Sequence, residues 1–337
     1  MNLSEGKRRH LDKLSNSDGI IAALAMDQRS NLRKALGAAK GVDAAQIEGR
    51  MLAEFKSAVS SALSSHATAI LLDPEFGLDA ARARAESAGL LLSYELSGYD
   101  NSKPGRLPDF IPNVSGLRLL EWGANAVKVL LYYTPDDSRA VNDIKHAAME
   151  RIGAECEYLQ IPFFLELLAY DPKGTDEKSF EFAQMKPRLV IESVREYSKP
   201  RYHVDVLKIE APINPKFTPG AVSFGGRAAY TETEAVQYFK QASDATDLPF
   251  IFLSAGVSNE QFTQILQIAK DSGSEHSGVL CGRATWKDGI DIFVKSGRTA
   301  LDTWLRDQGV RNIDGVNAAV RNATSWRDRL RAPALHS

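Results

Sequence analysis

Lys208 stands in the middle of VDVLKIEAPIN (204–214), between Leu207 and Ile209. The run reads as a buried strand, where an ammonium is expensive to keep. Two readings account for it. In the first, the stem packs and the head pairs with a carboxylate, Glu210 or Glu166. In the second, Lys208 is a nucleophile that forms a Schiff base with a carbonyl. An ordinary lysine, with a pKa of ~10.4, is almost wholly protonated at neutral pH and cannot attack. Burial or a second cation close by favours the neutral amine. Bringing such an amine near neutrality takes roughly 4–5 kcal/mol. Apolar neighbours and Lys128, in NAVKVLLYY (125–133), are candidates for supplying it.

Glu166 lies in an equally apolar run, FFLELLAY (163–170). It reads either as the counter-ion of one lysine or as a general acid/base. Iminium chemistry needs the latter, because a carbinolamine must exchange protons as it loses water.

Two further runs suit an anion. LSAGVSNEQF (253–262) places Ser254 and Gly256 before a helix expected to start near Ser258, and LCGRATW (280–286) supplies Gly282 and Arg283. Backbone N–H groups at a tight turn and a guanidinium together fit a phosphate. A glycine kept for close turning and an arginine in a surface ion pair form the plainer alternative. Asp27 and Gln28, in AMDQRSNLRK (25–34), end another run. Asp27 either caps the following helix or handles a substrate hydroxyl. Asp73 and Glu75, in LLDPEFG (71–77), lack a neighbouring histidine, so no metal site is expected. The glycine-rich SFGGRAAY (223–230) reads as a mobile connection, with Arg227 a candidate second anion contact.

These residues need a frame. Eight apolar runs rich in β-branched residues recur at 19–29, 67–77, 89–100, 125–133, 161–171, 204–214, 249–258 and 278–286. Most gaps carry helical spacing, as at 43–63, 140–159 and 259–270, while the gap between 77 and 89 is short for a full helix. Continuous rather than alternating apolar strands imply burial on both faces. Eight of them with intervening helices predict an α/β fold, a TIM (β/α)8 barrel. Its strands fall at about 19–286, C-terminal helices follow at 287–331, and an N-terminal helix is capped by Ser4. A doubly wound sheet is the alternative, but no glycine-rich turn follows the first strand. Without a repeat or linker, 1–337 reads as a single domain. In a barrel, chemistry collects at the carboxyl ends of the strands, and Asp27, Asp73, Glu95, Lys128, Glu166, Lys208, Ser254 and Arg283 recur there.

The bulk numbers exclude other classes. The 337 residues carry a net charge of −2, which draws in neither nucleic acid nor an anionic membrane. No apolar run approaches the ~18 residues of a membrane span. The charged start, MNLSEGKRRHLDKLS, lacks a signal core. Cys156 and Cys281 sit in no metal or redox spacing and read as reduced thiols of a cytoplasmic protein.

The chain resembles the bacterial class I tagatose 1,6-bisphosphate aldolases, from KLSNSDGIIAALAMDQR (13–29) to NATSWRDRL (322–330). The likeness is most specific in LLDPEFGL, GANAVKVLLYY, IPFFLELLAYD, KPRLVIESVREYSKPR, DVLKIEAPIN, LPFIFLSAGVS and GVLCGRATW. It implies a TIM barrel that cleaves a ketohexose 1,6-bisphosphate, tagatose 1,6-bisphosphate or an epimer such as fructose 1,6-bisphosphate, without metal or cofactor, giving dihydroxyacetone phosphate and glyceraldehyde 3-phosphate. By the resemblance, Lys208 forms the Schiff base, Glu166 transfers protons and Lys128 tunes that centre. Asp27 and Gln28 line the pocket, Asp27 near the hydroxyl at the breaking bond. Ser254, Gly256, Gly282 and Arg283 hold the phosphate of the dihydroxyacetone half. A homo-oligomer is also implied. Two departures touch the second anionic end: Leu96 stands where the family usually has a basic residue, and 218–230 is lengthened and carries Arg227. A sulfofructose-phosphate aldolase is therefore the nearest rival, followed by a non-catalytic sugar-phosphate sensor and a metal-dependent lyase.

Overall fold

The computed structural model describes residues 3–97, 99 and 103–330. Gly98 and Asp100 of the expected third run, and residue 331 at the expected end of the last helix, lie outside the described residues. Eight parallel strands close on themselves in sequence order, β1 pairing with β8. They are β1 (Ile21–Ala25), β2 (Ala69–Leu72), β3 (Gly89–Ser93), β4 (Ala126–Tyr133), β5 (Phe163–Ala169), β6 (Val206–Ile209), β7 (Phe250–Leu253) and β8 (Gly278–Cys281). Each falls inside its expected run but is shorter, four to eight residues. The closed barrel sets aside the doubly wound sheet.

Helices surround it. In chain order they are α1 (Glu5–Leu14), α2 (Ser30–Lys40), α3 (Gly49–Leu63), α4 (Leu78–Ala83), α5 (Gly116–Glu121), α6 (Arg139–Leu159) and α7 (Phe180–Tyr197). Then come α8 (Glu232–Asp244), α9 (Asn259–Asp271), α10 (Arg283–Trp286), α11 (Gly289–Trp304), α12 (Val310–Ala319) and α13 (Trp326–Arg329). The short 77–89 gap holds only the six-residue α4. Ser4 caps α1, and Ser258 caps α9 reciprocally with Gln261. The helix expected over 43–63 begins six residues later. Asp43 instead caps a 3-10 turn at Ala44–Gln46, a local alternative that acidic caps offer the backbone.

Alternation along the strands sets which residues point inward. Ala23, Leu71, Leu91, Ala126, Phe164, Val206, Ile251 and Leu280 form one buried cluster inside the barrel. Leu11 and Leu14 of α1 and Trp326 of α13 join it. The Trp326 indole donates to Ser15 Oγ at 3.1 Å, and its backbone N–H donates to Gly19. Helices α1 and α13 thus close the amino-terminal end. Two residues beyond Ala126, Phe164 and Val206 on the same inward faces come Lys128, Glu166 and Lys208. The apolar filling therefore ends where the charged layer begins, at the open carboxyl end.

Candidate active site

Strand register brings the charged layer together. Glu166 and Lys208 are direct partners across β5 and β6, and Lys128 faces Ser93 across β3 and β4. Lys128 is fully buried, and three carboxylates converge on its ammonium. Asp27 Oδ2 lies at 2.8 Å, Glu95 Oε1 at 2.7 Å and Glu166 Oε2 at 2.7 Å. The same Glu166 oxygen is 2.9 Å from Lys208 Nζ. Both contacts to it are ion pairs by distance, and neither is aligned as a hydrogen bond.

The electrostatics follow from this crowding. Burial works against the charge on Lys128, but Asp27, Glu166 and Glu95 overcome it and hold the ammonium well above the ordinary lysine value. Burial likewise works against ionised Asp27, yet Lys128 and Lys208 bring its carboxyl down. The same balance lowers Glu166, with Asp27 opposing.

A cavity of about 490 Å³ opens above this cluster. Asp27, Gln28, Glu95, Glu166, Lys208, Ser254, Gly256, Gly282 and Arg283 all line it. Lys128 lies beneath. The expected anion corner is assembled by close approach of two loops. Gly256 sits in the left-handed region at φ +80°, and a Cβ there would stand 2.7 Å from the Arg283 guanidinium carbon. Glycine adopts that conformation without strain and lets the guanidinium lie against the backbone. A Cβ on Gly282 would lie 3.0 Å from the Ala25 carbonyl oxygen and 3.2 Å from Gln28 Nε2, so the chain passes close there too. The arginine has no ion-pair partner among the described residues, which removes the surface ion-pair reading.

Comparison with known proteins places this arrangement. The model described as DeoC/LacD family aldolase matches residues 21–288. The chain belongs to that family. Tagatose 1,6-diphosphate aldolase of Listeria monocytogenes serotype 4a (strain HCC23) is 49% identical over 325 residues, 96% of this chain and 94% of its own. Tagatose 1,6-diphosphate aldolase 1 of Enterococcus faecalis (strain ATCC 700802 / V583) is 50% identical over 321 residues, 95% and 96% of the two chains. Among solved structures, fructose-bisphosphate aldolase from Plasmodium falciparum superposes with a TM-score of 0.66 at 14% identity, covering 96% of this chain and 97% of that one. A Schiff base-forming fructose-1,6-bisphosphate aldolase gives 0.57 at 14%, covering 93% and 99%. At such identities the structures speak to the fold alone.

The aldolase corrects several expectations. Asp27 does not cap α2: the N-cap position is Arg29, without a side-chain cap bond, and Asp27 is bound to Lys128 instead. Lys128 shares a Glu166 oxygen with Lys208 and is itself enclosed by three carboxylates. Glu210 is not the partner of Lys208. It pairs with Lys186 at 3.2 Å and accepts from the Ala169 N–H. Asp73 and Glu75 each have a basic partner: Lys56 takes Asp73, and Arg29 reaches Glu75 at 2.5 Å. Arg227 is exposed, stacks on Phe180 at 3.5 Å and does not line the cavity. As a family aldolase the chain is an enzyme, which overturns the purely non-catalytic sensor.

The aldolase also contains parts that sequence reasoning passed over. Buried Lys56 donates to the Met26 carbonyl at 2.8 Å and so fixes the backbone beside Asp27. Arg29 Nη2 holds the Glu95 carbonyl at 2.7 Å. Arg106 lies against Tyr132 and Tyr170 and pairs with Glu177 at 2.7 Å. Of these only Arg29 carried a sequence signal, a charge at the end of an apolar run. Burial pushes the Cys281 thiol up to about 12 and Cys156 well above its usual value, as for inert structural thiols. Among the described residues no helix is long and apolar enough to cross a membrane.

Proposed function

We propose that this aldolase cleaves a ketohexose 1,6-bisphosphate, tagatose 1,6-bisphosphate first among its epimers, through a Schiff base on Lys208. The observation that carries the reading is the pair of buried lysines sharing Glu166 Oε2. A proton moving from Lys208 to that oxygen leaves a neutral amine beside a carboxylic acid. Those are the two partners carbinolamine chemistry requires.

The amine adds to the C2 ketone. Glu166 returns the proton to the departing hydroxyl, water leaves, and an iminium remains. Asp27 takes the proton of the C4 hydroxyl. The C3–C4 electron pair moves towards the iminium, and glyceraldehyde 3-phosphate departs. The enamine is protonated at C3 and hydrolysed to dihydroxyacetone phosphate. Lys128 keeps its charge throughout and stabilises the ionised forms of Asp27 and Glu166. Ser254, Gly256, Gly282 and Arg283 hold the phosphate of the dihydroxyacetone half. The point where three carboxylates meet is filled by an ammonium, which supports a reaction without metal.

Leu96 lines the cavity, and Arg227 does not reach it. These two observations keep a sulfonate at the distal end as the second reading. Side-by-side cleavage assays on tagatose, fructose and sulfofructose phosphates decide between them. Highest kcat/KM for a bisphosphate supports the proposal; highest for the sulfonate overturns it. Activity that survives a chelator supports the metal-free route, and its loss contradicts it.

A further inference from the structure

Glu95 is only half satisfied. Its Oε1 bonds Lys128 at 2.7 Å, while Oε2 is buried, lacks a hydrogen-bond partner among the described residues, and belongs to a side chain lining the cavity. The residue is 3% exposed. A buried acceptor without a donor is costly, and such a group persists where a ligand supplies the donor.

Its position is also fixed. Arg29 holds the Glu95 carbonyl, a bridge joins Glu95 to Phe110, and Leu96 N–H donates to Asp109 at 2.9 Å. These contacts fix the backbone that carries the side chain, and the Oε1 bond to Lys128 holds the carboxylate itself. Tyr99, the nearby phenol on the same segment, spends its O–H on the Leu130 carbonyl and is unavailable as a donor.

The barrel order says which part of a substrate meets it. The anion corner follows β7 and β8, and Lys208 lies on β6. Glu95 follows β3, four strands from β7 and so across the barrel mouth. A ketose with its C1 phosphate at Arg283 and its C2 at Lys208 sends its far half towards Glu95.

We propose that Glu95 Oε2 accepts a hydrogen bond from the C5 hydroxyl of the bound ketose, the hydroxyl carried by the departing aldehyde. This rests on the Schiff-base reading above and adds a specificity residue to it. Asp27 handles the proton at C4, and Glu95 selects aldehydes that carry a hydroxyl next to the carbonyl.

The test runs the reaction in the condensing direction. Dihydroxyacetone phosphate is joined either to glyceraldehyde 3-phosphate or to 3-oxopropyl phosphate, which lacks only that hydroxyl. Wild type should favour the hydroxylated aldehyde by about tenfold or more in kcat/KM. In Glu95→Gln the preference should collapse, because loss falls on the hydroxylated aldehyde. A wild type that treats both aldehydes alike overturns the inference even if the variant does not fold. Equal losses on both aldehydes, or loss of borohydride trapping of dihydroxyacetone phosphate in the variant, also overturn it: Glu95 would then act only through Lys128. Absence of trapping in wild type strikes the Schiff-base reading instead, which keeps the two failures apart.

Discussion

Lys128 and Lys208 share a single oxygen: Glu166 Oε2 lies 2.7 Å from one ammonium and 2.9 Å from the other. Glutamine in its place keeps the shape but neither the charge nor the mobile proton. Glu166→Gln should lower cleavage by about 10²–10⁴-fold. Steady-state turnover of the bisphosphate measures this. A variant within threefold of wild type would show that proton transfer runs elsewhere.

Arg283 has no ion-pair partner among the described residues, so its removal strands no buried carboxylate there. Arg283→Ala should weaken phosphosugar binding by about 10- to 100-fold, the worth of a charge-assisted contact. The melting temperature should move little. Isothermal titration with dihydroxyacetone phosphate beside a thermal melt separates the two. Unchanged affinity would remove the phosphate assignment.

Lys56 and Asp73 are both fully buried and paired. Lys56→Met strands the carboxylate and should cost about 3–5 kcal/mol in denaturant unfolding. Asp73 also accepts the backbone N–H groups of Glu75 and Phe76, at 3.1 and 2.8 Å. Asp73→Asn keeps an acceptor for those bonds while removing the charge. The double variant should therefore recover much of the loss. A double variant as unstable as the sum of the two singles would contradict the pairing argument.

Acid should unfold the protein in two stages. Burial lowers His276, beside Phe252, from 6.5 to about 4. The unfolded chain thus binds a proton that the folded one refuses, and stability falls as pH drops from 6.5 towards 4. The full loss is about 3 kcal/mol. Asp27 and Glu166 act lower. Their folded carboxyls are held below the ordinary value, so their contribution is present above that value and lost as pH falls through the folded one. Unfolding free energies of His276→Phe between pH 7 and 4 should lack the first stage and keep the second. An unchanged slope from 6.5 to 4 would contradict this.

The barrel was legible because all eight strands are continuous apolar runs bounded by turns, and burial on both faces leaves that mark locally. That these charges gather at one cavity was legible for the same reason: a charge inside such a run has few places to go. Partnerships were not. Lys128 meets Asp27 across 101 residues of chain, and Glu95 across 33, so sequence neighbours such as Glu210 looked equally suitable for Lys208. The carboxylates around Lys128 were not legible, because two of the three sit just beyond strand ends, where side-chain direction is set by loops. Lys56 carried no signal at all. It lies on the amphipathic α3, where a lysine ordinarily faces water. The start of α3 was missed because Asp43 satisfies a short turn as readily as a helix.

The central claim is that the Lys208 amine captures a ketone. Dihydroxyacetone phosphate with sodium borohydride, followed by intact-mass analysis and peptide mapping, tests it most directly. One reduced adduct per chain is expected, on the peptide containing Lys208, and none in Lys208→Met. A wild type that gains no mass, or an adduct on another lysine such as Lys128, would contradict it.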